Sequence, residues 1–405
     1  MKKSYMFAAA LFSSVSILFT GCSLPEKDVN NATEYVGDGA SQDESEQSNE
    51  AAAEKSIVVI NDLFEPVIEE KSSSEASSQE EAAAEATEPE AEEVTPVNIV
   101  FFGDSQLANG RDDGTDIPHL LGKRVPNSRI FNLAIGGTTA SVEQSTSDVS
   151  PENLASTSFL GMAYSFAGKS DRNAALSSYP DILDTMNSID PADVDYYILS
   201  YGTNDFLNGV PLDVDNYQPE SVQAHALYNS MNKAIEALED VSPDAEFIIL
   251  TPFYGLYVAE DGSYIGDSYI VSNGIGTLAD YADKVKNVAE SKDAQLFDGM
   301  YQSRFDLYLD TANDYLMDNL HLTLTGRQIV ARLLAHNVNM AEKNEPYAYL
   351  DTDYIKIADF DPDENYRYDE SQMKANYPDI WENYTAGKYP LAQPSEEAAA
   401  EYSGE

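Results

Sequence analysis

Cysteine is almost absent from this chain. The single thiol, Cys22, excludes an intramolecular disulfide and any zinc site built from several cysteines. Histidine is scarce too: His119, His225, His321 and His336 are the only four, so any histidine chemistry comes from a short list. Positive charge is equally thin. Only 23 basic residues stand against 71 acidic ones, a formal net charge of −48. Nucleic acids and anionic lipid surfaces are recognised by cationic patches, so this balance argues against both as ligands. It suits a soluble, self-repelling surface protein. Long apolar runs are also missing. The apolar stretch from about Tyr5 to Phe19 is short for a helix that stays in a membrane.

That stretch is preceded by Lys2 and Lys3 and ends in Phe19-Thr20-Gly21-Cys22, so residues 1–22 read as a secretion leader. A cysteine directly after two small residues resembles the bacterial lipobox, with Phe19 where Leu is more usual. The resemblance implies lipidation of Cys22 and anchoring to the outer face of the cytoplasmic membrane. The other reading is an ordinary leader with an incidental cysteine. Residues 23–95 are rich in Ser, Glu, Ala and Gln, and cannot bury enough apolar surface to offset chain entropy. They read as a disordered acidic tether. One exception is Ile57-Val58-Val59-Ile60, with Leu63, Phe64, Val67 and Ile68 behind it. It is expected to dock on the folded domain, or else to serve as a partner motif.

From residue 96 to 344 the pattern alternates strand and helix. Short apolar runs bounded by polar residues or Gly predict strands at 97–102, 129–134, 196–201, 246–251 and 294–298. Helical spacing of apolar residues covers 181–189, 222–238, 278–289 and 329–340. Such alternation predicts a parallel sheet with helices on both faces. Residues 140–179 form an insertion. Its Phe159, Leu160, Met162, Tyr164 and Phe166 are expected either to pack in the core or to wall a substrate cleft. Residues 345–405 form an acidic, Tyr-rich extension with a low-complexity end. Its aromatics are expected to pack against the domain, with a sugar-stacking platform as the alternative.

Four stretches carry polar residues to strand ends, where open α/β sheets place their chemistry. The first strand runs into Gly103-Asp104-Ser105-Gln106. Ser105 there could be a nucleophile or a helix cap. The second ends in Gly136-Gly137, which permits close approach of backbone N–H groups or simply a tight turn. The third ends in Gly202-Thr203-Asn204-Asp205, where Asn204 can offer a side-chain N–H or make an Asx-turn. Asp318-Asn319-Leu320-His321 precedes the last helix, with Asp and His spaced to meet within one turn.

In this order the four stretches resemble the blocks of the SGNH hydrolases, also called GDSL esterases and lipases, over roughly residues 97–341. The resemblance implies a three-layer α/β/α sandwich with a central five-stranded parallel sheet, flavodoxin-like in topology. It also implies a triad. Ser105 would be the nucleophile, His321 the general base and Asp318 the group that orients the imidazole. The N–H of Ser105, the N–H of Gly137 and the side chain of Asn204 would form the oxyanion hole. No metal or cofactor is implied. Gln106 departs from the family, which more often has an aliphatic residue there, and is expected to reshape the pocket floor.

The chemistry agrees with this assignment. A serine hydroxyl needs a base to take its proton, and an imidazole held in one tautomer by a carboxylate suits that task. The expected function is therefore a lipid-anchored serine esterase outside the cell membrane, acting on acyl or acetyl esters, with an acylated carbohydrate as partner substrate. Lipase, lysophospholipase or O-acyltransferase activity on the same triad are alternatives. A catalytically silent polysaccharide-binding protein is the rival from another class. His119 is expected to be structural, and His225 and His336 to be partly exposed on helices. Asp112, Asp113 and Asp116 only faintly resemble a calcium loop and read as a solvated loop.

Overall fold

The computed structural model describes residues 95–259, 261–301, 304–363 and 370–391. The leader, Cys22, the acidic tether and the apolar segment 57–68 lie outside the described residues.

Among the described residues, seven strands form two sheets: β1 (Val97–Gly103), β2 (Ser128–Asn132), β3 (Tyr196–Ser200), β4 (Glu246–Leu250), β5 (Leu256–Val258), β6 (Tyr264–Asp267) and β7 (Gln295–Phe297). The five strands expected from sequence make one parallel sheet in the order β2-β1-β3-β4-β7. This is the flavodoxin-like order, and flanking helices complete the three-layer α/β/α arrangement. Strand β3 is buried along its whole length, as is β1 from Ile99 onward, which explains their near-continuous apolar sequences. Tyr197 of β3 lies opposite Phe247 of β4, and their rings stack with centroids 5.1 Å apart. On the same face, Phe102 packs edge-on to Phe166 at 5.7 Å.

The helix Phe159–Phe166 is thus spent on the core. Phe159 stacks on Tyr201 at 5.0 Å, and both are buried. The core reading of this cluster holds, and the cleft-wall reading does not. The helix expected over 222–238 is two pieces, Glu220–Gln223 and Leu227–Glu239. Tertiary hydrogen bonds break it. Ala226 is extended, the N–H groups of Leu227 and Tyr228 go to Pro211 and Leu212 carbonyls, and Ala224 O accepts from Val142 N. His225 sits in this break, with its ring nitrogens against the Val142 and Thr146 carbonyl oxygens.

His336 differs from expectation. It is wholly buried in the long helix Leu324–Ala341 rather than partly exposed. The segment after the helix folds back over it and supplies the compensating carboxylates. His336 Nδ1 meets Glu345, and Nε2 lies 2.8 Å from Asp353. Arg332, one turn earlier, holds Asp353 with two hydrogen bonds of 3.0 and 2.9 Å. Tyr349 stacks on His336 at 5.7 Å, and Tyr349, Met373 and Tyr384 form a small buried cluster. Those aromatics are packing residues. Among the described residues no helix is long and apolar enough to cross a membrane.

Candidate active site

The sheet order fixes where a site can form. The chain leaves β1 toward β2 on one side, then returns past β1 to β3 on the other. A crevice opens at such a reversal, beyond the carboxyl ends of the strands. Gly103, the last residue of β1, pairs with Ser200, the last of β3. The residues that follow, Ser105 and Asn204, are therefore brought side by side. A Cβ at Gly103 would lie 2.7 Å from the Leu107 side chain and 3.1 Å from the Ser200 carbonyl oxygen, so a larger residue there would force its neighbours to shift.

Ser105 opens a short helix, Ser105–Ala108, capped by Asp104, whose carboxylate accepts the N–H of Gln106 at 2.9 Å. Ser105 is partly exposed, while Asp104 and Gln106 on either side of it are buried.

His321 arrives on a closed turn. Leu316 and Leu322 form a bridge, and Met317 N–H donates to the His321 carbonyl at 2.8 Å. Asn319 takes the left-handed backbone at φ 70°, which Asn tolerates better than most residues. Asp318 divides its two oxygens. Oδ1 accepts the backbone N–H groups of Leu320 at 3.2 Å and His321 at 2.8 Å. Oδ2 lies 2.7 Å from His321 Nδ1. His321 Nε2 lies 2.8 Å from Ser105 Oγ. With a carboxylate at Nδ1, the proton belongs there and Nε2 is left to accept from the serine hydroxyl. Burial pushes the Asp318 carboxyl up, but the bonds from His321 and Leu320 and the His321 charge outweigh it. The group titrates below the ordinary carboxylate value and stays anionic near neutrality.

The other expected anion-binding groups come from the loops that follow β2 and β3, next to the loop of Ser105. Gly136 faces it closely, since a Cβ there would be 3.7 Å from Ser105 Cβ. Gly137 has φ 79°, a conformation that glycine accepts without strain, with open space where its side chain would be. Among the described residues no acceptor takes the N–H of Ser105 or Gly137. Asn204 is different. Its amide donates to Asp104 Oδ2 at 3.1 Å and to the Thr138 carbonyl at 3.0 Å. Both of its protons are engaged, so an incoming oxyanion must displace or share one. The next residue, buried Asp205, accepts from the N–H groups of Ala140 and Ser141 at 2.9 and 3.2 Å and from the Ser141 hydroxyl at 3.0 Å. Two consecutive residues after β3 thus pin the loop that carries Gly137.

Asp104 is not singled out by the sequence, although its carboxyl beside the site is strongly perturbed. Burial raises it from the ordinary 3.8 to about 7, with Asp205 adding to the rise, against the pull of Gln106 N–H, the His321 charge and the Asn204 amide. The folded protein therefore holds a proton that the unfolded chain has already released. Stability contributed by this group falls as pH rises from about 4 to about 7. Between about pH 5 and about pH 8 the loss amounts to about 2.5 kcal/mol. Urea unfolding at those two pH values should show this loss in the wild type, and Asp104→Asn should remove it. An equal pH dependence in both proteins would contradict the assignment.

The other acidic residues near the first helix do not converge. Asp113 binds Thr115 at 2.6 Å, and buried Asp116 caps the helix Ile117–Gly122. The ring of half-exposed His119 binds Asp116 at 2.5 Å. No cluster of three or more potential metal ligands occurs among the described residues.

The model of the GDSL-like lipase/acylhydrolase family matches residues 101–329, more than half of the chain. The chain belongs to this family. It is an α/β acyl-ester hydrolase of the serine type. No curated protein matches it. Among solved structures, a possible lipase from Chitinophaga pinensis is 17% identical over 61% of this chain and 99% of its own, with a TM-score of 0.41. A carbohydrate acetylesterase from Sinorhizobium meliloti is 14% identical over 60% of this chain and 99% of its own, with a TM-score of 0.36. A member of the lipolytic G-D-S-L family from Veillonella parvula is 16% identical over 58% of this chain and 94% of its own, at 0.34.

Proposed function

We propose that this hydrolase cleaves short acyl esters, above all acetyl esters on polysaccharide, with Ser105 as nucleophile, His321 as general base and Asp318 as the group that orients the imidazole. The observation that carries this reading is the unbroken chain of hydrogen bonds, 2.7 Å from Asp318 to His321 and 2.8 Å from His321 to Ser105. In the first step Ser105 Oγ attacks the ester carbonyl while its proton passes to His321 Nε2. The positive imidazole faces Asp318, which is already anionic. Charge on the carbonyl oxygen is met by the free N–H groups of Ser105 and Gly137. Asn204 joins them by giving up one of its present acceptors. Preset donors of this kind are each worth about 10²–10³ in rate. His321 then protonates the departing alcohol and activates the water that releases the acid.

The substrate class follows from three arguments. The leader-like residues 1–22 and the lipobox-like setting of Cys22 support a location outside the cell, on the outer face of the cytoplasmic membrane, where acylated polysaccharides would be at hand. The net charge of −48 repels anionic lipid surfaces but not neutral sugar esters. The aromatic helix Phe159–Phe166, which could have lined a lipid groove, is buried in the core.

The test is release of p-nitrophenol from acetate, butyrate and octanoate esters, followed by acetate release from acetylated xylan. Activity is expected to be highest on acetate and to fall with chain length. A rising profile toward octanoate would overturn the carbohydrate-ester reading in favour of a lipase.

A further inference from the structure

Gln106 is the residue that departs from the family pattern, and the structure gives it a specific task. It lies next to the nucleophile, yet its side chain is 4% exposed and points away from solvent. A buried primary amide must find partners for both ends or carry the cost of desolvation. It finds both on the histidine turn. Nε2–H donates to the Leu320 carbonyl at 2.8 Å, and Oε1 accepts the Leu322 N–H at 3.4 Å. These two groups belong to the peptide bonds on either side of His321. One amide therefore grips both ends of the base residue, much as a neighbouring strand would. The other end of the grip is anchored, because Gln106 N–H is itself held by Asp104 at 2.9 Å.

The turn needs such an anchor. Asp318 is 53% exposed and Asn319 is in the left-handed region, so the Asp318–His321 segment has little packing of its own. A further tie to the body is the hydrogen bond from Leu256 N–H to the Asn319 carbonyl at 2.8 Å, on the side of the β5–β6 hairpin. Beside the Ser105–His321 bond itself, the Gln106 contacts join the backbone of the turn to the helix of Ser105.

We infer that Gln106 is a positioning residue, a two-point backbone clamp that sets His321 in hydrogen-bonding register with Ser105. This inference rests on the proposed roles of Ser105 and His321. It makes the nucleophile helix and the base turn one mechanical unit through the residue adjacent to the nucleophile. An aliphatic side chain at this position would fill the same space without fixing the distance between the two elements.

The test compares full-length wild type, Gln106→Leu, Gln106→Glu and Ser105→Ala on p-nitrophenyl acetate, with the imidazole resonances of the four histidines recorded by NMR. Gln106→Leu should lower kcat by about 10- to 100-fold, the scale of a small misplacement of reacting groups, with little change in KM. Its His321 resonances should broaden or shift, while those of His119, His225 and His336 stay in place. Gln106→Glu keeps the acceptor for Leu322 N–H but turns an oxygen toward the Leu320 carbonyl. Its kcat relative to wild type should rise as pH falls and the new carboxyl gains a proton to donate. Read together with the His321 resonances, that dependence tests the donor half of the clamp even if Gln106→Leu fails to fold. If the wild type does not hydrolyse esters, or Ser105→Ala is as active as wild type, the functional reading fails, and the His321 resonances still decide the clamp. Unchanged His321 resonances in folded Gln106 variants, or in active protein an unchanged kcat and a flat pH ratio, would overturn it.

Discussion

Ser105→Ala, His321→Ala and the double variant are each expected to lose kcat by a similar factor, on the order of 10⁴–10⁶. The reason is that the two side chains act as one device. The hydroxyl at 2.8 Å from His321 Nε2 is a nucleophile only while the imidazole takes its proton, and the imidazole has nothing to activate in the acylation step without the hydroxyl. Removing either removes the step, so removing both adds little. Asp318→Ala should cost less, on the order of 10²–10³, because Asp318 is half-exposed and water can replace part of its effect on the imidazole. Residual activity in all variants should reflect the preset N–H donors. Single-turnover kinetics on p-nitrophenyl acetate check this series. A double variant much slower than either single one would contradict the coupled pair, as would an active Ser105→Ala.

Asp353→Ala is expected to destabilise the fold by about 3–5 kcal/mol, the usual cost of stranding buried charge. Arg332 is 1% exposed and His336 is fully buried, and both direct their donors at Asp353. Without the carboxylate, the guanidinium is left in the interior with that partner gone, and His336 loses the acceptor at Nε2. Burial alone would push Asp353 up, but the His336 and Arg332 interactions more than reverse it, so its carboxyl titrates below the ordinary value. Its contribution to stability is therefore present above the unfolded value and is lost as pH falls through the lower, folded one. The joint replacement Arg332→Met with Asp353→Leu should cost less than Asp353→Ala, because it strands less charge. Urea denaturation near neutral pH measures both. A loss below about 1 kcal/mol for Asp353→Ala would show that the network is not the anchor of the segment that follows the long helix.

The sheet was legible because its three central strands are buried on both faces. The runs before Gly103, at 196–201 and at 246–251 are nearly all apolar, and burial of that kind leaves a plain signature. The hairpin of β5 and β6 left none. Its strands have three and four residues, mostly exposed or half-buried, and the only cue was Asp261-Gly262 at the turn. The break at 224–226 and the burial of His336 were hidden for a shared reason. Each depends on chain distant in sequence, Pro211, Leu212 and Val142 in one case and Asp353 and Glu345 in the other. Helical spacing records only the local preference.

At the site, the order of the polar blocks brought Ser105, His321 and Asp318 into view, and the structure joins them. What the sequence could not convey is how the acceptors and donors are shared. Asn204 reads as a free donor but is engaged by Asp104 and Thr138. Gln106 reads as a change in the pocket floor but reaches the backbone of the opposite turn. Both facts are matters of direction, and side-chain direction is set by the packed neighbours rather than by residue type.

The most direct measurement of the central claim is labelling of the full-length protein with a fluorophosphonate, followed by peptide mass mapping. One adduct per chain is expected, on Ser105, formed in step with the loss of esterase activity and slowed by an excess of the acetyl ester. No adduct is expected in Ser105→Ala, and very slow labelling in His321→Ala. An adduct at another serine, or hydrolysis that continues after Ser105 is fully labelled, would contradict the account.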